Sequence, residues 1–499
     1  MNRRRLLEAC IGLAGYPLVH ARGETRGDKT KPVRININRR KRLAQIPNEF
    51  AGLGYEISSV AISGLLSDKN RPHVQLVRGL GAHGVIRIGG ITSDSAHFSP
   101  DAVASPSAKA TVINAANLSE LAGFLDATGW RLIWGLNLGD GDRQNALAEA
   151  VAVAAAVKDK LLAFEIGNEP DGFDGGRRPK GYSYGDYLKE YQDYKAVIRS
   201  RLPNAPFAGP DASYATDWVT RFAQSEGSDL RLLTRHYYRA GANNPYLDAL
   251  INSDPHTSPD RQKAYEAQGR IDKINLLLQK DPGLDGMLRE LSAAASTAHV
   301  PYRICEMNTL FGGGQPGVSD AFVSALWALD FLCMLAQAGC AGANMETGIN
   351  HLDFVSYYSP IRNDQSGAAS VGPEYYGMLA FAQASRGECL ATDYDAGGVN
   401  LTAYAVQHDD GRLSVVTINK DAKADADITI VAGRSLRHAA ALRLTGRALD
   451  RAEGVTLGGA AVASDGRWQP KEVEELHVSG GSCEVHVPAA SAAIVKWKA

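Results

Sequence analysis

The sequence predicts an α/β chain: a (β/α)8 TIM barrel with a C-terminal antiparallel β-sandwich domain. Three observations predict it. Short apolar runs alternate with amphipathic helical stretches through most of the chain, the rhythm of parallel βα units. Eight such runs occur, the number that closes a barrel of this kind. Beyond about residue 383 the rhythm becomes short alternating runs parted by turns such as Gly397-Gly398 and Gly480-Gly481.

The chain has 499 residues, 44% hydrophobic and 22% charged, enough to bury more than one core. It opens with Arg3, Arg4 and Arg5, then the mostly apolar Leu6–Val19, then the small-residue site Val19-His20-Ala21. That order is the order of an export signal over residues 1–21, and the paired arginines point to the twin-arginine route. The protein is therefore expected to be exported, to a periplasm or the extracellular medium. Cleavage after Ala21 removes three arginines and one glutamate and takes the net charge from −2 to −4. No global basic field points to nucleic acid. No apolar run reaches the roughly 18 residues that span a bilayer.

The run Pro32–Ile37 precedes the barrel and is assigned, as 32–46, to the sandwich with 384–499; the barrel takes 47–383. The eight expected strands are Phe50–Glu56, Val85–Gly90, Arg131–Leu138, Leu161–Asn168, Phe207–Ala212, Leu230–Tyr238, Pro301–Asn308 and Gly342–Gly348. Helical periodicity is clearest at Leu118–Thr128, Ala146–Lys158, Tyr187–Leu202 and Ala321–Gln337. About 60 residues, Arg239 to Val300, separate the sixth and seventh runs, too many for one connection. Part of that insertion reads as helix, at Lys263–Lys280 and Met287–Ala295, and part as ordered loop, at Asn243–Pro245 and Ser253–Pro259. The sandwich strands are read at Leu401–Gln407, Leu413–Asn419, Ala426–Ala432, Cys483–Pro488 and Ala493–Trp497.

Nearly every barrel run starts apolar and ends polar, on Glu56, Asn137, Asn168, Asp211, Tyr237, Glu306 or Asn308. In a barrel all eight carboxyl ends open on one face, where the active site lies. Two carboxylates stand out there. Glu169 ends the fourth run in Phe164–Pro170, where Pro170 stops the ladder. Glu306 ends the seventh run in Arg303–Asn308, before Gly312, Gly313 and Gly314, whose backbone N–H groups a ligand can approach closely. Strands four and seven face each other across a small barrel. A retaining glycosidase needs such a pair, about 5–5.5 Å apart, one as acid/base and one as nucleophile. Glu169 is read as the acid/base and Glu306 as the nucleophile. Asn168 is placed to bond the hydroxyl beside the reacting carbon. His236 and Tyr237, ending strand six, are expected to hold the nucleophile ionised. Glu165 is read as buried and structural, and Glu346 in the eighth run as a rival carboxylate. His351 and Asp353 follow it without a third ligand at metal spacing. Six cysteines contain no CxxC pair, so neither metal nor cofactor is expected.

The segments FEIGNEPDGF and EMNTLFGGGQPGVSD resemble glycoside hydrolase family 79, the heparanase and β-glucuronidase family. The resemblance covers the barrel and the sandwich. It implies a retaining mechanism with the same two glutamates. It further implies that Glu56, Asp94 and Asn168 bind sugar hydroxyls. Tyr237, the Gly312–Gly314 backbone and Tyr357 or Tyr358 would grip a uronate carboxylate. The stretch Gly348–Phe354 departs from the family's glycine-rich form. The expected substrate is a β-glucuronide or a glucuronate-containing oligo- or polysaccharide, cut by exo action. One alternative is endo cleavage of a glycosaminoglycan, for which Arg177, Arg178 and Lys180 would supply cationic contacts. The other is a catalytically inactive carbohydrate-binding protein.

Overall fold

The computed structural model describes residues 32–107, 109–242, 259–348, 356–363 and 368–498. The export segment with Cys10, the loops expected at Asn243–Pro245 and 253–258, and His351 and Asp353 lie outside the described residues.

Eight parallel strands close a barrel, in the fold class expected. In chain order they are Ala51–Glu56, Val85–Gly89, Arg131–Leu136, Leu161–Ile166, Phe207–Ala212, Leu230–Gly241, Tyr302–Phe311 and Ala343–Glu346. Each pairs with its successor, and the eighth closes on the first with Glu346 opposite Gly54. Most of their residues are buried on both faces, as in parallel strands covered by helices. The helices start where caps dictate. Asn114 and Asn117 form a capping box for Ala115–Thr128, which stops at Gly129 in the left-handed region (φ 79°). Asp142 accepts the N–H groups of Gln144 and Asn145 at the start of Arg143–Val157. The insertion after strand six contributes Pro259–Leu278 and Leu284–Ala298.

Helix Phe322–Gln337 is apolar nearly all round, and almost all of it is buried. It lies between the barrel and the C-terminal sheet with Pro373–Ala384 beside it. The strands of that sheet serve two cores by simple alternation. Val416, Ile418, Ala492 and Ile494 join the barrel cluster, while Val415, Ala493, Val495 and Trp497 join the sheet's own. Eleven strands form this sheet. Ile428 and Val485 from one end of the strand order meet Ala439 and Trp497 from the other in a single core, so the sheet curls into two facing layers. The N-terminal strand Val33–Gln45 runs antiparallel to Glu388–Asp395 but parallel to Ala426–Val431. It comes from the far side of the barrel in sequence, so no hairpin imposes its direction. Every other described pair of the sheet is antiparallel.

Candidate active site

Each strand's alternation decides what enters the barrel. Strand two is apolar except for Arg87, which is fully buried and points inward. Its guanidinium holds four groups. Nε donates to Glu165 at 3.1 Å, Nη1 to Glu306 at 2.6 Å, and Nη2 to Asp211 at 2.5 Å and to Asn168 Oδ1 at 2.9 Å. One planar fork thus links strands two, four, five and seven.

The end of strand four is shaped by backbone. Gly167 (φ 85°) and Glu169 (φ 49°) both take the left-handed region, and Glu169 N–H donates to Asp211 O at 3.0 Å. A glutamate pays strain there, and such strain is concentrated at functional sites. The Asp171 carboxylate accepts the N–H groups of Ser213, Tyr214 and Ala215 and pins the turn. Glu169 is thereby aimed across the barrel mouth. Its side chain is 36% exposed, whereas that of Glu306 is 11% exposed.

Glu169 and Glu306, 137 positions apart in sequence, face one another across His236. One oxygen of each and a ring nitrogen of His236 all lie within 4.8 Å of one another. His236 Nδ1 is 2.9 Å from Glu169 Oε1 and 3.8 Å from Glu306 Oε2, and Nε2 is 2.7 Å from Asp211. Tyr238 O–H donates to Glu306 Oε1 at 2.8 Å. Both oxygens of Glu306 are therefore held.

The environments push the two carboxyls apart. Burial raises Glu169 above the ordinary carboxyl range, and the Glu306 charge adds to this against the His236 contact. Burial also opposes charge on Glu306, but His236, Arg87 and the Tyr238 hydroxyl outweigh it and hold that group low. For His236, burial is overcome by Asp211 and Glu306, which lift it well above its usual value. Asp211 is held at about 2 because Arg87 and His236 overcome its burial. Glu165, deeper and fully buried, is pushed up to about 7 by burial and by Asp211. Two cations, Arg87 and His236, thus balance two carboxylates, Asp211 and Glu306, while Glu169 keeps its proton. Glu165, Asp211 and Cys305 also converge within 4.8 Å, but the Arg87 cation already compensates that cluster.

The other expected residues divide. Glu56 lies beside the pocket and accepts from Thr92 N–H at 2.9 Å and Thr92 Oγ1 at 2.6 Å. Burial and the Glu306 charge push it up to about 7. Asp94 is buried beneath the fourth strand's end, accepting the N–H groups of Leu138, Gly139 and Asn168. Gly312, Gly313 and Gly314 all have positive φ, from 78° to 89°, and Gly313 O accepts Tyr357 N–H at 2.7 Å. Tyr358 is buried with its ring 6.2 Å from that of Tyr238, facing Glu306 and Glu346. Tyr237 is a correction. Its hydroxyl donates to Asp281 at 2.8 Å and its ring stacks on Phe331 at 4.5 Å, on the outside of the barrel. Neighbours on a strand face opposite ways, so His236 and Tyr237 cannot both reach the nucleophile; Tyr238 does. Arg87 was also missed, although a lone charge inside an apolar strand signals a buried partner.

Residues 403–494 match the family model described as Glycosyl hydrolase family 79 C-terminal beta domain. A β-glucuronidase of Aspergillus niger is 25% identical over 454 residues, covering 83% of this chain and 79% of that protein. A β-glucuronidase of Neurospora crassa is 25% identical over 330 residues, covering 58% of this chain and 55% of that one. Among solved structures, a 4-O-α-L-rhamnosyl-β-D-glucuronidase from Fusarium oxysporum 12S superposes with a TM-score of 0.70 at 20% identity, over 93% of this chain and 99% of that one. The family 51 arabinofuranosidase of Xanthomonas axonopodis pv. citri gives 0.66 at 16%, over 94% and 100%. These two structural likenesses establish the fold. The family match and the two sequence relatives bear out the family resemblance.

Proposed function

We propose that this glycoside hydrolase of family 79 is a retaining, exo-acting β-glucuronidase, with Glu306 as nucleophile and Glu169 as acid/base. One observation carries the reading: two carboxyls from opposite strands, with oxygens within 4.8 Å, are driven to opposite protonation states by their surroundings. Two β-glucuronidases among its sequence relatives support the glucuronide as substrate.

In the first step Glu306 attacks the anomeric carbon as the glycosidic C–O bond breaks, and Glu169 gives its proton to the leaving oxygen. The product is a glycosyl ester on Glu306. Glu169, now ionised, takes a proton from water, and that water attacks the same carbon and frees Glu306. His236 stays on Glu169 Oε1 throughout and stabilises its ionised form between the two steps. The leaving alcohol departs toward the exposed side of Glu169.

Arg177 and Arg178 are already committed, which favours exo over endo action. Arg177 donates to the Asp94 carbonyl and Ser95 Oγ; Arg178 donates to Glu190 and to the Leu138 and Gly139 carbonyls. They brace the loop rather than line a polyanion track.

Glu306→Ala is expected to abolish turnover of an aryl β-glucuronide. Glu169→Ala is expected to cost about a hundredfold to ten-thousandfold, least for leaving groups that need no proton. Proton NMR of the first-formed sugar should show the β anomer. Release of the α anomer, or more than a few per cent activity in Glu306→Ala, defeats the mechanism.

A further inference from the structure

Glu346 ends the eighth strand, between strand seven with Glu306 and strand one with Glu56. It shares its strand face with Asn344, whose amide donates to Leu53 O and Val85 O across the barrel interior. Glu346 therefore points inward, one layer above Asn344. It is 2% exposed, and neither carboxyl oxygen has a hydrogen-bond partner among the described residues. Room for it comes from strand one. A Cβ at Gly54 would sit 2.5 Å from Glu346 Oε2, so only glycine there leaves the carboxyl its place. An unbonded buried carboxyl costs free energy unless something else bonds it. The cations nearest are spent: Arg87 on four acceptors, His236 on Asp211 and Glu169.

We propose that Glu346 contacts the substrate: its carboxyl donates a hydrogen bond to the anionic sugar seated between Glu169 and Glu306, so that the site accepts a uronate only while Glu346 is uncharged. The inference rests on the glucuronidase reading and deepens it. A uronate entering this pocket meets Glu56, Glu306 and Glu346 on one wall. With Glu346 ionised as well, like charges repel the substrate. With Glu346 protonated, the same wall offers a donor. Burial, then the charges of Glu306 and Glu56, push Glu346 well above the usual carboxyl range, against Arg87 and His236. Tyr238 and Tyr358 also face it, both with their hydroxyls pushed upward by burial and so neutral. The protons on Glu346 and on Glu56, which is pushed up to about 7, are thus the ones whose loss would charge this wall further.

The test is the pH dependence of KM for 4-nitrophenyl β-D-glucuronide and for its uncharged methyl ester, in wild type, Glu346→Gln and Glu346→Leu, with melting temperatures alongside. In wild type, KM for the glucuronide should climb with pH while KM for the ester stays flat. Glu346→Gln keeps a donor and cannot ionise; it should stay within about fivefold of wild type at low pH and climb less steeply, since only Glu56 is left to titrate on that wall. Glu346→Leu should raise the glucuronide KM at least tenfold over wild type at low pH, where wild type keeps its donor, without lowering the melting temperature. Wild-type KM in Glu346→Leu at low pH, or an undiminished climb in Glu346→Gln, overturns the proposal. If the leucine variant does not fold, the glutamine profile alone decides. If wild type cleaves another aryl β-glycoside but no glucuronide, the glucuronidase reading fails first and takes this inference with it.

Discussion

Replacing Tyr238 by Phe removes one O–H and little else. The ring stays packed beside Tyr358 and Phe311, at centroid distances of 6.2 and 6.4 Å. What is lost is the 2.8 Å bond to Glu306 Oε1 and the hydrogen bond shared with the Tyr358 hydroxyl. A hydrogen bond to an ionised group contributes about 1.5–3 kcal/mol. Among the influences that hold Glu306 low, the hydroxyl ranks after His236 and Arg87, so the lower end applies. At about 1.4 kcal/mol per pH unit, the nucleophile's titration should move up by about one unit. The acidic limb of kcat/KM for an aryl glucuronide reports that titration in the free enzyme. Tyr238→Phe should shift this limb upward by about one unit, with roughly a tenfold loss on the limb and a smaller one on the plateau. Tyr237→Phe is the control. Its hydroxyl bonds Asp281 outside the barrel, so the limb should not move, while stability drops by about 1 kcal/mol. An unmoved limb in Tyr238→Phe, or a shifted one in Tyr237→Phe, refutes the assignment of which tyrosine serves the nucleophile.

Two further outcomes concern the frame. Glu149 is buried against Trp134 Nε1, at 2.9 Å, and burial pushes it up to about 8. The unfolded chain loses that proton near 4.5 and the folded chain only near 8, so stability falls as pH rises between those values. Glu149→Gln should raise the melting temperature at pH 8 and leave it unchanged near pH 4; an equal effect at both would show that the charge is not the cause. At the barrel–sheet interface, Asp330 accepts from Lys420, Thr402 and Tyr404 at 2.6–2.7 Å. Asp330→Ala would strand a buried ammonium and should cost about 3–5 kcal/mol in denaturant unfolding, part of it recovered by adding Lys420→Met. A loss below about 1 kcal/mol would mean that the pair is solvated.

Much of this protein follows from local chemistry. Eight apolar runs, nearly all with polar residues toward their ends, dictate parallel strands with their carboxyl ends on one face, because period-2 alternation and short βα connections leave few other solutions. Glu169 and Glu306 stand out for the same reason: each lies toward the end of such a run, ahead of a residue that breaks the ladder or loosens the backbone, Pro170 directly after one and Gly312 six positions after the other. Tertiary structure alone decided what surrounds them. Arg87, Asp211, His236 and Tyr238 come from three strands, and their meeting depends on barrel register, which no local pattern encodes. Register also decides that Tyr238 and not Tyr237 reaches the nucleophile, and that Gly54 leaves space for Glu346. Charge at a buried site is a property of the assembled neighbours, so which carboxyl keeps its proton is set by the closed barrel and not by the chain that closes it.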